Sequence, residues 1–236
     1  MKDFLLYTLF ALQFAIKNKT LAHVKYFWKW FKDKKSGNNT LKLALPWMTY
    51  DAIDFLESIT ADDKNVFEWG SGGSTLYFAS RCKKVISIEH DNKWGQIINI
   101  ELENRNLNNV TYRVIEGKTI DNFDDLNAEN PNVYVSKDPN SKGLSFKEYA
   151  NSIDLFKDNN FDIVIVDGRA RNACIKHAMP HLKKDGYLIV DNADRSYYLS
   201  SFPELFNQDI WSRIEFVGPV FFQHAFGKTV VFRKKQ

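Results

Sequence analysis

The segment Phe161–Asp167 reads Phe-Asp-Ile-Val-Ile-Val-Asp, a nearly unbroken apolar run that ends in an acid. A strand of this composition is buried on both faces, which is typical of a parallel sheet covered by helices on both sides. Similar strand patterns alternate with helical ones from Pro46 onward. These predicted strands are Asn65–Glu68, Lys84–Glu89, Val110–Ile115 and Tyr187–Asp191, followed by a terminal pair, Arg213–Val217 and Lys228–Phe232. The sequence therefore predicts a doubly wound α/β fold whose ligand lies beyond the carboxyl ends of the strands.

The composition of the 236-residue chain is that of a soluble globular protein, with 44% apolar and 26% charged residues. It excludes a disordered chain, a collagen-like fibre and a protein with many membrane spans. The two cysteines, Cys82 and Cys174, are too few for a disulfide framework, which favours a reducing compartment over secretion. We therefore expect a cytoplasmic protein.

Charge is distributed unevenly along the chain. Residues 1–42 contain nine lysines and two aspartates, a net charge of +7, whereas the remaining residues sum to −4. We therefore expect a basic, aromatic, helical arm over residues 1–42 and one domain over residues 43–236, with an inserted segment at about 117–160. The mildly acidic domain argues against an extended nucleic-acid groove.

The arm itself leaves two interpretations open. Its apolar stretch Phe4–Ile16 is shorter than the roughly 20 residues that a bilayer span requires. A second set of apolar residues recurs at helical spacing, with lysines on another face: Leu21, Val24, Phe27, Trp28 and Phe31. Residues 1–35 either contact a membrane surface or a partner, or pack on the chain's own domain with solvated lysines.

The first predicted strand runs into a glycine-rich loop, Glu68-Trp69-Gly70-Ser71-Gly72-Gly73-Ser74-Thr75. A dinucleotide-binding fingerprint would require a third glycine where Thr75 stands. Glu68 would also repel a pyrophosphate, but it suits a ligand with an ammonium group, such as S-adenosylmethionine. Glu89, 21 residues later at the end of the second strand, can accept both hydroxyls of a ribose.

With these residues, the core from about Val66 to Asp194 resembles class I S-adenosylmethionine-dependent methyltransferases. The resemblance implies a Rossmann-like, doubly wound, seven-stranded sheet that is mostly parallel, with an antiparallel last strand and helices on both faces. It also implies that Glu89 binds the ribose of S-adenosylmethionine, that His90 flanks the adenine, and that Glu116-Gly117 lies at the adenine edge. The residues implied around the methionine end are Glu68, Gly70, Ser71, Gly72, Gly73, Ser74 and Asp167.

A second resemblance concerns the ends of the fourth and fifth predicted strands. Asp167 with Asp191-Asn192 is similar to the metal triad of catechol-type O-methyltransferases, which would bind Mg²⁺ through hard oxygen ligands. Those enzymes carry a catalytic lysine three residues after the first Asp, where this chain has Ala170. In the other interpretation, Asp167 only positions cofactor or substrate and Asp191-Asn192 caps a loop.

Three arginines and one histidine complete the predicted site. Arg169, Arg171 and Arg195 fit an anionic acceptor, and His224, in the turn between the last two strands, is a candidate general base. Asp167, Arg169 and His224 are thus the candidate catalytic residues. The resemblance also argues against nucleic-acid methylation, because the Asp-Pro-Pro-aromatic motif of amino-methylating enzymes and the Pro-Cys of cytosine-C5 enzymes are missing.

The predicted function is S-adenosylmethionine-dependent O-methylation of a small or saccharide-like, anionic acceptor. Two alternatives remain open at this point. One is an NAD-dependent oxidoreductase of similar architecture, against which Glu68 and Thr75 count. The other is a non-catalytic binding module whose N-terminal arm docks on a membrane or a partner.

Overall fold

The computed structural model describes residues 2–19, 21–224 and 226–235. The helices, in chain order, are α1 (Lys2–Asn18), α2 (Phe27–Lys35), α3 (Thr40–Leu43), α4 (Tyr50–Ile59), α5 (Gly73–Ala79), α6 (Asn92–Asn104), α7 (Lys147–Ala150) and α8 (Arg171–His181). The strands are β1 (Asn65–Trp69), β2 (Lys84–Glu89), β3 (Val110–Val114), β4 (Lys118–Thr119), β5 (Leu144–Ser145), β6 (Phe161–Val166), β7 (Leu182–Val190), β8 (Trp211–Pro219) and β9 (Phe226–Lys234).

Seven strands form one sheet in the order β3-β2-β1-β6-β7-β9-β8. Strands β3, β2, β1, β6 and β7 are parallel to one another, and β9 is antiparallel to both β7 and β8. This architecture confirms the predicted mostly parallel, seven-stranded fold with an antiparallel last strand. The strand order reverses between β1 and β6, and in open α/β sheets this is the point where the carboxyl ends of the strands leave a ligand crevice.

Strand β7 and helix α8 both begin earlier than the sequence predicts. Strand β7 begins at Leu182 rather than at Tyr187, because Leu182 already pairs with Phe161 before a register shift between Phe161 and Ile163. The apolar spacing predicts a helix over Ala173–Leu182, whereas α8 begins at Arg171, and Pro180 lies in its last turn. These shifts leave the carboxyl ends of β6 and β7, and hence the candidate site, where they were expected.

Each face of the sheet has its own apolar core, and β1 contributes to both. Phe67 and Trp69 join a cluster with residues of α7 and α8, whereas Val66 joins a cluster on the opposite face with residues of α4 and α5. This alternation follows from the pleat of a strand. Helices on both faces thus bury the central strands completely.

The N-terminal arm packs against the second of these cores. The Trp30 side chain is fully buried, its ring centroid is 4.4 Å from that of Tyr7, and its indole donates a hydrogen bond to the carbonyl of Gln223. Tyr50 of α4 donates to the Asp33 carboxylate of α2 at 2.8 Å. The inner faces of α1 and α2 are therefore part of the hydrophobic interior. None of the helices in the described ranges has the length and hydropathy needed to cross a bilayer.

The segment between β3 and β6 is folded against the sheet rather than extended from it. It contains the antiparallel pair β4–β5, the short helix α7 and a 3-10 turn, Asn151–Leu155. Phe146, Tyr149 and Ile153 are buried in the same cluster as α8. Their apolar spacing predicts one amphipathic helix, which the structure divides into these two short elements.

Candidate cofactor and acceptor site

The glycine-rich loop between β1 and α5 brings the chain close to the end of β6. Gly70 has a φ of +94°, and a Cβ atom there would lie 2.8 Å from the carbonyl oxygen of Asp167. Only glycine combines this left-handed conformation with so close an approach. The amide of Asp167 also donates to the carbonyl of Trp69 at 3.0 Å, which fixes the ends of the two strands side by side.

Glu68 lies fully buried behind this loop. Its Oε1 accepts hydrogen bonds from the hydroxyls of Thr75 and Ser87, and its Oε2 has no hydrogen-bond partner among the described residues. Burial raises the pKa of the Glu68 carboxyl to about 7. Thr75 also accepts from the amide of Gly72 at 3.0 Å, so it ties the loop to Glu68 at the position where a dinucleotide fingerprint has its third glycine.

Glu89 at the end of β2 holds the other side of the loop. Its Oε2 accepts from the amide and the hydroxyl of Ser71 at 2.9 and 2.7 Å, and its Oε1 accepts from the amides of His90 and Asp91 at 2.7 and 2.9 Å. Burial opposes ionisation, but the contacts with His90 and Ser71 outweigh it and lower the pKa of Glu89 to about 2. Glu89 is therefore a buried carboxylate, 2% exposed, at any physiological pH.

Two adjoining cavities open at the carboxyl ends of the strands. The first, of about 450 Å³, is lined by Trp47, Gly70, Ser71, Glu89, His90, Asp91, Trp94, Asp167, Gly168, Arg169, Arg171, Asp191, Asn192, Val220 and Gln223. The second, of about 610 Å³, is lined by His90, Asp91, Asn92, Lys93, Glu116, Gly117, Asn140, Ser141, Leu144, Phe146 and Arg169. His90, Asp91 and Arg169 border both, so the cavities are neighbours.

The predicted cofactor residues divide between these two cavities and the glycine-rich loop. Gly70, Ser71 and Glu89 line the first cavity, and Glu116-Gly117 lines the second, with His90 between them. The remaining residues predicted for the methionine end shape the loop instead, since Glu68, Gly73 and Ser74 are buried and Gly72 donates to Thr75.

Arg171 joins the ends of β6 and β7 beneath the first cavity. Its Nη2 donates to Oδ1 of Asp167 at 2.9 Å and to Oδ1 of Asn192 at 3.1 Å. Its Nε donates to the carbonyl of Gly168 at 3.0 Å, and its Nη1 donates to the carbonyl of Asp191. The guanidinium is thus occupied by the strand ends, although Arg171 still contributes to the lining of the first cavity.

This arrangement bears directly on the predicted metal triad. The carboxylate of Asp191 accepts from Thr229 at 2.6 Å and from the side-chain amide of Asn192 at 2.9 Å, while the oxygens of Asp167 and Asn192 accept from Arg171. The cationic guanidinium of Arg171 therefore binds oxygens that a divalent ion would require as ligands. The donor set does not fit Mg²⁺.

Burial also affects the two acids of this cluster. It raises the pKa of both the Asp167 and the Asp191 carboxyl groups, and the nearby charge of Arg171 opposes this rise. One buried cation faces the buried carboxyl of Asp191 and the partly exposed carboxyl of Asp167, so the cluster depends on Arg171 for its charge balance.

Arg169 differs from the other predicted acceptor residues in its position. It borders both cavities, its Nη1 lies 3.5 Å from Oδ2 of Asp138, and its Nε is buried without a hydrogen-bond partner in the described structure.

The other two predicted residues, Arg195 and His224, contact neighbouring side chains. Arg195 is exposed and donates to the hydroxyl of Tyr198 at 3.0 Å. The imidazole of His224 contacts the arm instead, with Nε2 2.7 Å from Oδ1 of Asp3 and its ring 5.5 Å from that of Trp30.

Several cavity residues have no signal in the sequence. Trp47, Val220 and Gln223 come from connections around the isolated bridge between Thr49 and Val220, whose partners are 171 positions apart in the chain. Phe146 lines the second cavity, although its apolar spacing predicts only a helix face. Trp94 combines two roles, because it lines the first cavity and its indole donates to the carbonyl of Ser71 at 2.9 Å.

Neither the models of known protein families nor the sequences of curated proteins match this chain. Solved structures do. A proposed O-methyltransferase from Klebsiella pneumoniae matches with a TM-score of 0.61 and 13% identity, over 91% of this chain and 99% of that one. An O-methyltransferase from Bacillus cereus in complex with S-adenosylhomocysteine matches with a TM-score of 0.55 and 16% identity, over 88% and 96%. An rRNA methylase from Streptococcus thermophilus matches with a TM-score of 0.52 and 14% identity, over 78% and 93%.

These likenesses show that the chain has a Rossmann-like methyltransferase fold. The matched proteins are described as methylating different classes of acceptor, so the fold by itself does not identify the acceptor of this chain.

Proposed function

We propose that this chain is an S-adenosylmethionine-dependent methyltransferase that methylates an oxygen of a small or saccharide-like, anionic acceptor. The observation that carries the proposal is the ionised, buried carboxylate of Glu89, which ends β2 and lines the first cavity beside His90. A carboxylate in this position suits the two hydroxyls of a ribose. The structural relatives, one of them in complex with S-adenosylhomocysteine, support the same cofactor.

The residues present suit the ammonium, ribose and adenine parts of S-adenosylmethionine. The buried carboxylate of Glu68, with one oxygen unpartnered among the described residues, favours a cationic ligand end beside the loop. Glu89 would hold the ribose, and His90, Glu116-Gly117 and Phe146 would surround the adenine in the second cavity. When bound, the cofactor supplies a methyl group activated by a sulfonium.

The acceptor would enter the first cavity beside Asp167 and Arg169. Arg169, whose buried Nε has no partner in the described structure, would bind the acceptor's anionic group. Asp167, whose carboxyl pKa burial raises, would take the proton from the acceptor hydroxyl. The acceptor oxygen would gain the methyl group as the carbon–sulfur bond breaks, and S-adenosylhomocysteine would be the leaving group. Holding the two reactants in one cavity would supply most of the rate.

In this proposal Arg171 is a positioning residue, and no metal takes part. The guanidinium supplies the positive charge that a divalent ion provides in catechol-type enzymes, and it keeps Asp167 and Asn192 in place. Its five N–H donors suit several fixed oxygens at once. His224, which contacts Asp3 and Trp30, is left out of the chemical step.

The alternative functions differ in what they predict for ligand binding. An NAD-dependent oxidoreductase is not favoured, because the matched structures described above are methyltransferases and Glu68 is unsuited to a pyrophosphate. A binding module without catalysis would bind the cofactor but would not turn over any acceptor.

Calorimetric titration with S-adenosylhomocysteine tests the proposal. We expect a Kd on the order of micromolar for the wild type and a loss of about 100-fold or more in Glu89→Ala. Glu103→Ala, which changes an exposed glutamate of α6, is the matched control and should bind like the wild type. No heat and no thermal shift in the wild type would overturn the proposal, and binding of NAD in its place would support the oxidoreductase.

A further inference from the structure

The outer face of α1 is apolar and uncovered. Leu5, Leu9, Leu12 and Ile16 are 59%, 52%, 58% and 71% exposed. Their spacing of four, three and four residues places them in one stripe along the helix. No charged residue occurs between Phe4 and Ile16, so this stripe is not broken by charge.

The next segment of the arm has a similar outer face. Leu21, Val24 and Trp28 are 70%, 56% and 69% exposed and are spaced three and four residues apart. This segment adjoins α1 directly, because the ring of Phe27 is 5.6 Å from that of Phe4. We call these three residues and the four of α1 the outer face of the arm.

Lysines surround the outer face of the arm. Seven of them are exposed: Lys2, Lys17, Lys19, Lys25, Lys29, Lys32 and Lys35. The two acids of residues 1–42 are both engaged, Asp3 with His224 and Asp33 with Tyr50. Lys25 and Lys29 have acidic neighbours in Asp51 and Asp54, whereas Lys17 lies in the last turn of α1 and Lys19 directly after it. The exposed charges of the arm are therefore predominantly positive.

We propose that the outer face of the arm lies on an anionic membrane surface, parallel to the bilayer. An amphipathic helix buries its apolar face in the headgroup region, and lysines at its border attract anionic lipids. A tryptophan such as Trp28 is favoured at this depth. The inner face of α1 is held by the domain through Tyr7 and Phe14, so the arm would anchor the whole chain.

Charge decides between a membrane and a second copy of the chain as the occupant of this face. In a two-fold dimer each arm would meet its own copy, and the same lysines would approach one another. Like charges close together destabilise such a contact. An anionic lipid surface complements both the apolar stripe and the lysines around it.

Sedimentation of the full chain with vesicles tests this proposal. We expect binding to vesicles of phosphatidylcholine with about 30% phosphatidylglycerol, and binding weaker by roughly tenfold or more to phosphatidylcholine alone. Salt at about 0.5 M should release much of the bound protein, because the Debye length then falls to a few ångströms.

A paired variant locates the contact. Leu9→Glu with Leu12→Glu should weaken vesicle binding by about tenfold or more, because a charge at each position would enter the apolar region of the membrane. Its thermal midpoint should stay close to that of the wild type, since both side chains are exposed. Leu155→Glu changes an equally exposed leucine of the inserted segment and should leave vesicle binding unchanged.

Two results would overturn the proposal. One is that the wild type does not bind anionic vesicles. If the wild type is then a dimer and the paired variant is a monomer, the outer face of the arm binds a second copy of the chain instead. The other is that the paired variant binds vesicles as well as the wild type does. Because neither readout needs cofactor or acceptor, the test is independent of the proposed methyltransferase function.

Discussion

Nη2 of Arg171 donates a hydrogen bond to Oδ1 of Asp167 at 2.9 Å, four residues earlier in the chain, across the turn that joins β6 to α8. The turn is possible because Ala170 adopts a left-handed conformation with a φ of 46°. It directs the Arg171 side chain back beneath the strand ends, where it is only 6% exposed. A buried cation here offsets the cost of burying Asp191 and pairs with the partly exposed Asp167.

Removing this cation should destabilise the protein strongly. In Arg171→Met the two carboxyls lose their buried counter-charge, and breaking a buried pair in this way costs about 3–5 kcal/mol. We expect urea denaturation to show a loss of that size. Arg169→Met, which changes a half-buried arginine of the same turn, should cost far less, and equal losses in the two variants would contradict the role assigned to Arg171.

The wild-type protein should show no specific site for divalent cations. Arg171 uses the oxygens of Asp167 and Asn192 that a metal would need. Calorimetric titration with Mg²⁺ or Mn²⁺ should give no micromolar binding, and EDTA should leave the affinity for S-adenosylhomocysteine unchanged. If one Mn²⁺ bound tightly per chain and Asp191→Asn abolished this binding, the result would contradict this prediction and support the metal triad.

The contrast between Arg169 and Arg171 shows what the sequence can and cannot reveal. Glu68, Gly70 and Glu89 could be placed from the sequence, because the end of a buried parallel strand is a local pattern and parallel strands share one edge. The sequence Asp-Gly-Arg-Ala-Arg, in contrast, does not tell which arginine is held by the strand ends. That choice depends on the backbone conformation of Ala170 and on the carbonyl group of Asp191, which follows β7.

The same limit applies to His224 and Trp47. The position of His224 depends on contacts with Asp3 and Trp30, which are about 200 residues away in the chain. Trp47 reaches the first cavity because its indole donates at 2.7 Å to the carbonyl of Phe221. Long-range packing decides both placements, and no local pattern encodes it.

Glu68 should make the stability of the ligand-free protein depend on pH. Its carboxyl pKa is about 7 in the folded protein, whereas that of an ordinary glutamate is 4.5. Between pH 4.5 and 7 the folded state therefore holds a proton that the unfolded state has released. Its contribution is fully present below about pH 4.5 and is lost as the pH rises through 7, a change of roughly 3 kcal/mol at most. Glu68→Gln, which stays neutral, should be more stable than the wild type at pH 8 in urea denaturation and should lack this part of the pH dependence. A variant that is less stable than the wild type at pH 8 would contradict this account.

Gly70 and Gly72 form a matched pair within the loop. In Gly70→Ala the new Cβ would lie 2.8 Å from the carbonyl oxygen of Asp167, at a φ of +94° that side chains disfavour. We expect a loss of stability of about 1–3 kcal/mol, because a non-glycine residue is strained in this conformation. We also expect a clear loss of S-adenosylhomocysteine affinity, because the ends of β1 and β6 must move apart.

In Gly72→Ala the backbone is extended and the new Cβ meets nothing within 4 Å, so stability should change little. Calorimetry and thermal unfolding should show large losses of affinity and stability only in Gly70→Ala. Equal losses in both variants would mean that the loop requires glycine at both positions, and would contradict a specific role of Gly70.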